Sequence, residues 1–234
     1  MIINQKTKLL VISPHPDDEA LGCGGLIGKC LKEKASVCIV YVSVGDNRQL
    51  ITSYTKAKLR LKEVDAVKNL TKAQIIIYYK DKEFFKLETR PQKYLIDKLE
   101  ETINSFAPSI IAIPSSASYN QDHRYVFDAC ISALRPVPKT IRHFVPNILE
   151  YFEPYFWSAR SQKQPNVYLD LTERFKNGNL LDFRLALYAC HKTQVRQDPF
   201  PRSPENLIHI AHTYGKEIGV DIAEAYHLIR EEIC

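Results

Sequence analysis

Residues 9–19 read Leu-Leu-Val-Ile-Ser-Pro-His-Pro-Asp-Asp-Glu, and they indicate both the fold and the position of a site. The run Leu9–Ile12 is apolar without alternation, which predicts a strand buried on both faces. The segment Glu19–Leu31 that follows is typical of a helix. The hexapeptide Pro14–Glu19 is therefore predicted to lie at the carboxyl end of a strand, where open α/β sheets place their binding sites.

This hexapeptide combines an imidazole with three carboxylates in a stiff turn. Pro14 and Pro16 fix φ and bias the residues before them towards extended backbone. His15 and one carboxylate are suitable ligands for a divalent metal, and a second carboxylate is then available as a base. One acid would be enough to cap the helix or to complement its dipole, so three acids beside a histidine favour a metal site over a simple cap. A third ligand must come from elsewhere in the chain.

Length, charge and cysteine content narrow the class of protein. The chain has 234 residues, a net charge of +5 and six cysteines without a Cys-x-x-Cys pair. This length fits one α/β domain, and we expect residues 1–234 to form a single domain. Because the positive charge is spread along the chain, a nucleic-acid partner is not expected. No signal peptide, disulfide framework or membrane-length apolar segment is recognisable, which predicts a cytoplasmic protein with reduced thiols.

Hydrophobic periodicity predicts an α/β fold with a mostly parallel sheet and helices on both faces. A second strand at Ser36–Val44 completes a βαβ unit with the first strand and helix. Further strands are predicted at Ala73–Tyr79, at Ile110–Ile113, once or twice within Thr140–Phe152 and at Val167–Leu171. Helices are predicted at Tyr54–Leu70, at Gln92–Phe106, from His123 to about Leu134, and at Leu180–His191, Glu205–Tyr214 and Ile222–Ile233.

Four glycines in the first helix, at positions 22, 24, 25 and 28, invite comparison with a dinucleotide-binding fingerprint. That fingerprint needs its first glycine directly after the strand and another glycine where Ile27 stands. Both conditions fail. The glycines instead predict close packing of the first helix on the sheet.

Two other loops are predicted on the same rim as the hexapeptide. The polar segment Ser115–Arg124 follows the fourth strand, and its His123 is the candidate third metal ligand beside His15 and Asp18. Taken alone, His123 also fits a histidine at a helix start that is bonded to backbone or water. Arg48 follows the second strand, where it either binds an anionic or hydroxyl-rich substrate or is a solvated cation.

An aromatic cluster occurs at positions 151, 152, 155, 156 and 157. It is interpreted either as a rim on which a sugar ring stacks or as packing of a long loop. The sequence alone leaves both interpretations open.

With these motifs the sequence resembles the PIG-L/LmbE-like family of zinc-dependent N-acetylglucosaminyl deacetylases. The hexapeptide is the specific motif. The weaker ones are Arg60-x-x-Glu63, Asp170, His191-x-x-Gln194 and the segment 219–226. The resemblance implies a Rossmann-like α/β fold, one zinc ion or another divalent metal, and an N-acetylated sugar or glycoconjugate as substrate.

Carried over residue by residue, the resemblance implies that His15, Asp18 and His123 bind the metal and that Asp17 is the general base. It also assigns Arg48 and Asp122 to substrate binding.

One position departs from the family pattern. Relatives often carry a histidine where this chain has Asn120, and that histidine holds the oxyanion or protonates the leaving amine. Asparagine donates a hydrogen bond but cannot shuttle a proton, so we expect Asn120 to keep only the oxyanion role.

The sequence leaves two alternative functions open. An amidohydrolase acting on a non-sugar N-acyl substrate would use the same residues. A non-hydrolytic module that binds a nucleotide sugar or a dinucleotide would use the same kind of sheet. Metal retained on purification favours hydrolysis, whereas retained nucleotide without metal favours the binding module.

Overall fold

The computed structural model describes residues 1–49, 53–81, 86–154 and 163–232. In chain order its strands are β1 (Lys8–Ser13), β2 (Ser36–Gly45), β3 (Asn47–Gln49), β4 (Ser53–Thr55), β5 (Gln74–Asp81), β6 (Ile110–Ile113), β7 (Asn147–Tyr151), β8 (Val167–Asp170), β9 (Arg174–Phe175), β10 (Gly178–Asn179) and β11 (Ala223–Arg230). Its α-helices are α1 (Asp18–Lys32), α2 (Ala57–Thr71), α3 (Gln92–Phe106), α4 (Gln121–Ala133), α5 (Leu180–Ala189) and α6 (Pro204–Glu217).

Seven of these strands form one sheet in the order β5-β2-β1-β6-β7-β11-β8. The first five strands in this order, β5, β2, β1, β6 and β7, run parallel to one another. Strand β11 is antiparallel to both of its neighbours, β7 and β8. The chain moves from β1 to β2 and β5 on one side and later adds β6 and β7 on the other. The strand order therefore reverses between β1 and β6, and such a reversal opens a crevice at the carboxyl ends of the two strands. The mostly parallel α/β fold is confirmed.

Helices cover both faces of the sheet, and β1 contributes to both cores. Leu9 and Val11 pack in the core shared with α1, α2 and α5, whereas Leu10 and Ile12 pack in the core shared with α3 and α4. All four side chains are fully buried. This confirms the prediction of a two-sided strand, and each such side chain contributes about 1.5–3 kcal/mol through burial.

The glycines of α1 permit the close packing that the sequence predicted. A Cβ at Gly22 would lie 2.1 Å from the ring of Tyr151, and a Cβ at Gly24 would lie 2.5 Å from the side chain of Arg184. Neither substitution fits without displacing β7 or α5. These glycines bring α1 against its neighbours beside the crevice.

The C-terminal segment corrects the sequence prediction. Residues 222–233 were expected to form a helix, but Ala223–Arg230 is strand β11. This segment lies between β7 and β8 and pairs with both of them. Its short apolar run fits both the helical period and the strand period. Hydrogen bonding to two neighbouring strands makes it a strand.

A smaller difference from the prediction occurs after β2. The polar loop after β2 contains β3, which pairs with β4, and α2 begins at Ala57 rather than at Tyr54. Within residues 140–152, where one or two strands were expected, the structure has one strand, β7.

The aromatic cluster is described only in part. Tyr151 is fully buried in the core, and its hydroxyl donates a hydrogen bond of 2.9 Å to the carbonyl of Ile12. This supports the packing interpretation for Tyr151. Tyr155, Phe156 and Trp157 lie outside the described residues.

Within the described part of the chain, none of the helices combines the length and the apolar character needed to cross a bilayer. The cysteines at positions 23, 30, 38, 130 and 190 are free thiols.

Candidate active site

The crevice between β1 and β6 brings together the three predicted metal ligands. His15, Asp18 and His123 are buried, and each offers a ligand atom within 4.8 Å of the other two. Oδ2 of Asp18 lies 3.6 Å from Nδ1 of His15 and 3.3 Å from Nε2 of His123. The same oxygen accepts the backbone N–H of His15 at 2.8 Å, which fixes the carboxylate between the two rings.

This arrangement fits one divalent metal ion. Ligands at about 2.0–2.1 Å around a tetrahedral ion lie about 3.3 Å from one another, close to the two distances measured here. Two imidazoles and one carboxylate are a donor set that zinc and other divalent transition metals accept. Three protein ligands also leave coordination positions open, as hydrolytic sites require.

A carboxylate lies behind each imidazole of the cluster. Oδ2 of Asp122 is 2.8 Å from Nε2 of His15, which leaves Nδ1 of that ring facing the other ligands. Oε1 of Glu153 is 3.2 Å from Nδ1 of His123, although the direction of approach does not make a hydrogen bond. Carboxylates in such positions orient ligand rings and raise their basicity.

The position of Asp122 changes its predicted role. Its side chain is fully buried and lies behind His15, so it is not placed to contact a substrate in the crevice. The sequence showed that Asp122 precedes His123, but not that its side chain turns towards the hexapeptide. We therefore interpret Asp122 as a group that orients His15.

Glu153 was not among the predicted site residues. It follows β7, whose carboxyl end lies beside that of β6, and Ser118 donates a hydrogen bond to its carboxylate. In the sequence, Glu153 could have been recognised only as an acid that follows a predicted strand. The end of that strand, within residues 140–152, was poorly defined by the sequence pattern.

The carboxylates around His123 favour the protonated form of its ring. Burial alone would lower the pKa of His123, but the Asp18 and Glu153 carboxylates outweigh it and raise the pKa to about 9. Burial would raise the pKa of Asp18, but His123 and His15 hold it down at about 2. Without a metal, His123 and Asp18 therefore form an imidazolium–carboxylate pair near neutral pH.

Metal binding at pH 7 is expected to release a proton from this pair. A metal must displace the proton of His123 at any pH below about 9, because only neutral imidazole is a ligand. The apparent association constant should rise about tenfold per pH unit from about pH 7 to about pH 8.5 and level off above about pH 9. Calorimetric titration in two buffers with different ionisation enthalpies counts the protons. The His209→Ala variant, which alters an exposed histidine, should give the same count, and an absence of proton release at pH 7 would contradict the assignment of His123.

Asp17 lies beside the ligand Asp18 and faces two arginines. Nη1 of Arg202 donates to Oδ2 of Asp17 at 3.0 Å, and Nη2 of Arg60 lies 3.6 Å from Oδ1. Burial raises the pKa of Asp17 above its ordinary value and the Asp18 carboxylate adds to this, while Arg60 and Arg202 oppose the shift. A buried carboxylate with a raised pKa is suited to accept a proton.

The backbone of Asp17 is strained. Its φ is 119°, although it immediately precedes α1 and its side chain makes no capping bond. A left-handed φ at a residue other than glycine costs about 1–3 kcal/mol and persists only where neighbours enforce it. The strain coincides with the predicted base.

Arg202 was not predicted as a site residue. It belongs to the proline-spaced loop Asp198–Pro204, which the sequence indicated only as a stiff surface loop. The hydroxyl of Tyr188 lies 2.8 Å from the carbonyl of Arg202 and so anchors the loop beside Asp17.

Asn120 is the N-cap residue of α4. Its side-chain Oδ1 accepts the N–H of Asp122 at 3.0 Å, and its own N–H donates to Ser118 Oγ at 3.1 Å. Among the described residues the side-chain N–H groups of Asn120 have no acceptor, which is compatible with the predicted oxyanion role. Arg48 lies in β3, but its side chain is outside the described residues, so its substrate contact stays a prediction.

Residues of two of the weaker motifs contact the hexapeptide directly. Arg60 donates to the carbonyl of Pro16, and Nε2 of His191 lies 2.6 Å from Oε1 of Glu19. These contacts attach α2 and the segment directly after α5 to the loop that carries the ligands. Asp170 lies apart, where it accepts hydrogen bonds from Thr172 in an exposed turn.

Comparison with known proteins adds evidence from sequence. The model of the PIG-L family, described as GlcNAc-PI de-N-acetylase, matches residues 10–134, just over half of the chain. A relative from Bacillus subtilis, the probable N-acetyl-alpha-D-glucosaminyl L-malate deacetylase 2, is 31% identical over 144 residues, which are 55% of this chain and 61% of that protein.

Two solved structures share the fold. The N,N'-diacetylchitobiose deacetylase from Pyrococcus horikoshii is 21% identical with a TM-score of 0.73, over 96% of this chain and 84% of that chain. The 4-carboxy-2-hydroxymuconate hydratase from Pseudomonas putida is 16% identical with a TM-score of 0.71, over 97% of this chain and 98% of that chain. Their names give two different reactions, so the shared fold does not by itself decide the chemistry.

Proposed function

Because the chain belongs to the PIG-L family, described as GlcNAc-PI de-N-acetylase, we propose that it is a metal-dependent hydrolase that removes the acetyl group from an N-acetylated amino sugar or sugar conjugate. The observation that carries this proposal is the buried cluster of His15, Asp18 and His123 with the Asp17 carboxylate beside it. A metal with open positions next to a base of raised pKa is suited to amide hydrolysis. Zinc is the expected ion, and other divalent metals are compatible with the same ligands.

The reaction adds water to the acetyl carbonyl and breaks the bond between that carbon and the amide nitrogen. A bound divalent ion supplies polarisation of the carbonyl and a lowered pKa for water. Asp17 accepts the proton of the attacking water, and Asn120 donates an N–H to the oxygen that becomes negative. Asp17 then returns the proton to the departing nitrogen, which leaves as a free amine together with acetate.

Two further predictions belong with this proposal. We propose that residues 1–234 form one domain, since β8 and β11 from the last third of the chain complete the sheet that β1 begins. We also propose that Arg48 contacts substrate, since β3 directly follows the carboxyl end of β2.

A screen for amine release tests the proposed function. Zinc-loaded protein is incubated with N-acetylated sugars, nucleotide sugars, glycoconjugates and N-acetyl amino acids, and free amine is measured with and without chelator. Chelator-sensitive release from sugar substrates is the expected result. Release from N-acetyl amino acids alone would instead identify an amidohydrolase on non-sugar substrates. Tightly retained nucleotide without metal or hydrolysis would identify a binding module.

Asn120 gives a separate test of the oxyanion assignment. Changing Asn120 to serine keeps a helix-capping oxygen but removes the longer amide donor, so stability should hold while kcat falls by up to about 10²-fold. Changing it to alanine removes the cap as well and should cost a further ~1 kcal/mol of unfolding free energy. Thermal unfolding and kcat for the two variants separate these effects.

The Asn120→His variant extends this test to pH. An imidazole at this position should introduce an alkaline limb in the profile of kcat/KM against pH, starting from an unperturbed pKa of about 6.5, whereas the parent should show none from residue 120. If the serine and alanine variants match the parent at every pH, Asn120 does not contact the reacting centre.

A further inference from the structure

The strained backbone of Asp17 must be held by its surroundings, and the buried carboxylate of Glu19 contacts it directly. Oε2 of Glu19 accepts the backbone N–H of Asp17 at 3.0 Å, and Ser13 Oγ lies 3.4 Å from the same oxygen. The other carboxylate oxygen of Glu19 faces Nε2 of His191 at 2.6 Å. The two carboxylate oxygens of Glu19 therefore contact different groups, one the Asp17 N–H and the other the His191 ring.

Glu19 and His191 are both fully excluded from solvent. Their side chains are 0% exposed, and they lie 172 residues apart in the chain. Burying a carboxylate is unfavourable unless hydrogen bonds or an opposite charge compensate it. Although burial alone would lower the pKa of His191, the facing Glu19 carboxylate raises it above its ordinary value, which is consistent with a close charge-assisted contact.

The contact between Glu19 and Asp17 resembles half of a capping box, in which an acid early in a helix accepts the backbone N–H of the N-cap residue. Glu19 is the second residue of α1, and its carboxylate turns back to the N–H of Asp17, which precedes the helix. That N–H belongs to the residue with a φ of 119°. The contact therefore stabilises the turn that presents the Asp17 carboxylate rather than the helix alone.

We propose that Glu19 and His191 are positioning residues for Asp17: Glu19 holds the left-handed turn through the Asp17 N–H, and His191 holds Glu19. The geometric part of this proposal is independent of the reaction. Its catalytic part rests on the proposed function, because only there does Asp17 act as the base. His191 therefore affects the reacting centre although it does not touch substrate.

Hydrogen exchange tests the geometric part without any substrate. The exchange rate of the Asp17 amide is measured by NMR on the full chain as purified, for the parent and for three variants. In His191→Leu the Asp17 amide should exchange at least about tenfold faster, while amides of β2 keep their protection. In His191→Gln a side-chain N–H remains near the position of Nε2, so protection should largely return.

Glu19→Gln provides a second route if His191→Leu does not fold. An amide carries no charge and only one acceptor oxygen, so even when that oxygen faces the Asp17 N–H the hydrogen bond is weaker than the one made by the carboxylate, and the charge that holds His191 is lost. Faster exchange at Asp17 is again expected. Unchanged protection of Asp17 in both His191→Leu and Glu19→Gln, or in Glu19→Gln alone if the other variant is unfolded, overturns the proposal.

A double-mutant cycle with Asp17→Asn tests the catalytic part. His191→Leu should lower kcat by about 10–10²-fold with metal content and KM nearly unchanged, and His191→Gln should recover most of the loss. In the Asp17→Asn background the His191→Leu change should lower kcat no further, because the group it positions is already gone. Equal losses in both backgrounds would show that His191 acts independently of Asp17 and would refute its positioning role. Failure to turn over any N-acetyl substrate would refute the proposed function, while the exchange rates would still decide the geometry.

Discussion

Replacing His123 with alanine is expected to weaken metal binding by on the order of 10²-fold or more and to abolish metal-dependent amine release. Its Nε2 lies 3.3 Å from Oδ2 of Asp18, and its removal leaves two protein ligands where hydrolytic sites use three. His15→Ala and Asp18→Ala should have effects of the same order, since each removes one of the three clustered ligand atoms. Metal content after dialysis against a weak chelator, together with a direct binding isotherm, measures the loss.

The surrounding residues provide graded controls for this experiment. Asp122→Asn removes the charge behind His15 but no ligand, so the loss of metal affinity should be about 10–100-fold. His209→Ala removes an exposed imidazole and should change nothing. If all three ligand variants keep one metal per chain, the cluster is not the metal site.

The hexapeptide made much of this site predictable because its information is local. An apolar run followed by Pro14–Glu19 and a helix pattern fixes a strand, a loop and a helix from adjacent residues. The third ligand needed one further step, since the carboxyl ends of neighbouring parallel strands meet at one rim. That step brought His123 opposite His15 without any knowledge of side-chain contacts.

The groups around the ligands were not predictable in the same way. Arg202 reaches Asp17 across 185 residues of chain, and His191 reaches Glu19 across 172. Such contacts depend on how loops fold over a finished sheet, which no periodicity encodes. Asp122 shows the limit at a shorter range, because its position in sequence was known but the direction of its side chain was not.

The prediction of helix or strand was wrong where the same residues fitted both the helical and the strand period. Ala223–Arg230 carries apolar residues compatible with a helix, yet it forms a strand because β7 and β8 offer hydrogen-bonding partners on both of its edges. Membership of a sheet is a property of distant strands, and it overrode the local pattern. The error did not reach the site, because β11 lies two strands away from β6.

The Asp17→Asn variant is expected to keep the metal and lose turnover. Asparagine matches the shape of aspartate and tolerates a left-handed φ, so the turn with its φ of 119° should persist. Its amide cannot accept the proton of the attacking water. We therefore expect kcat to fall by about 10²–10⁴-fold, the usual contribution of a positioned base, while metal stoichiometry stays at the parental value.

A matched substitution outside the site tests whether the loss of one negative charge is by itself enough to lower kcat. Asp65→Asn makes the same chemical change at an exposed position on α2, the helix that carries Arg60, and should leave kcat and metal content unchanged. The decisive comparison is kcat of zinc-loaded Asp17→Asn against the parent under saturating substrate. Parental turnover in that variant would show that another group takes the proton. Glu153 would then be the next carboxylate to test, because it lies 3.2 Å from the His123 ring and burial raises its pKa above the ordinary value.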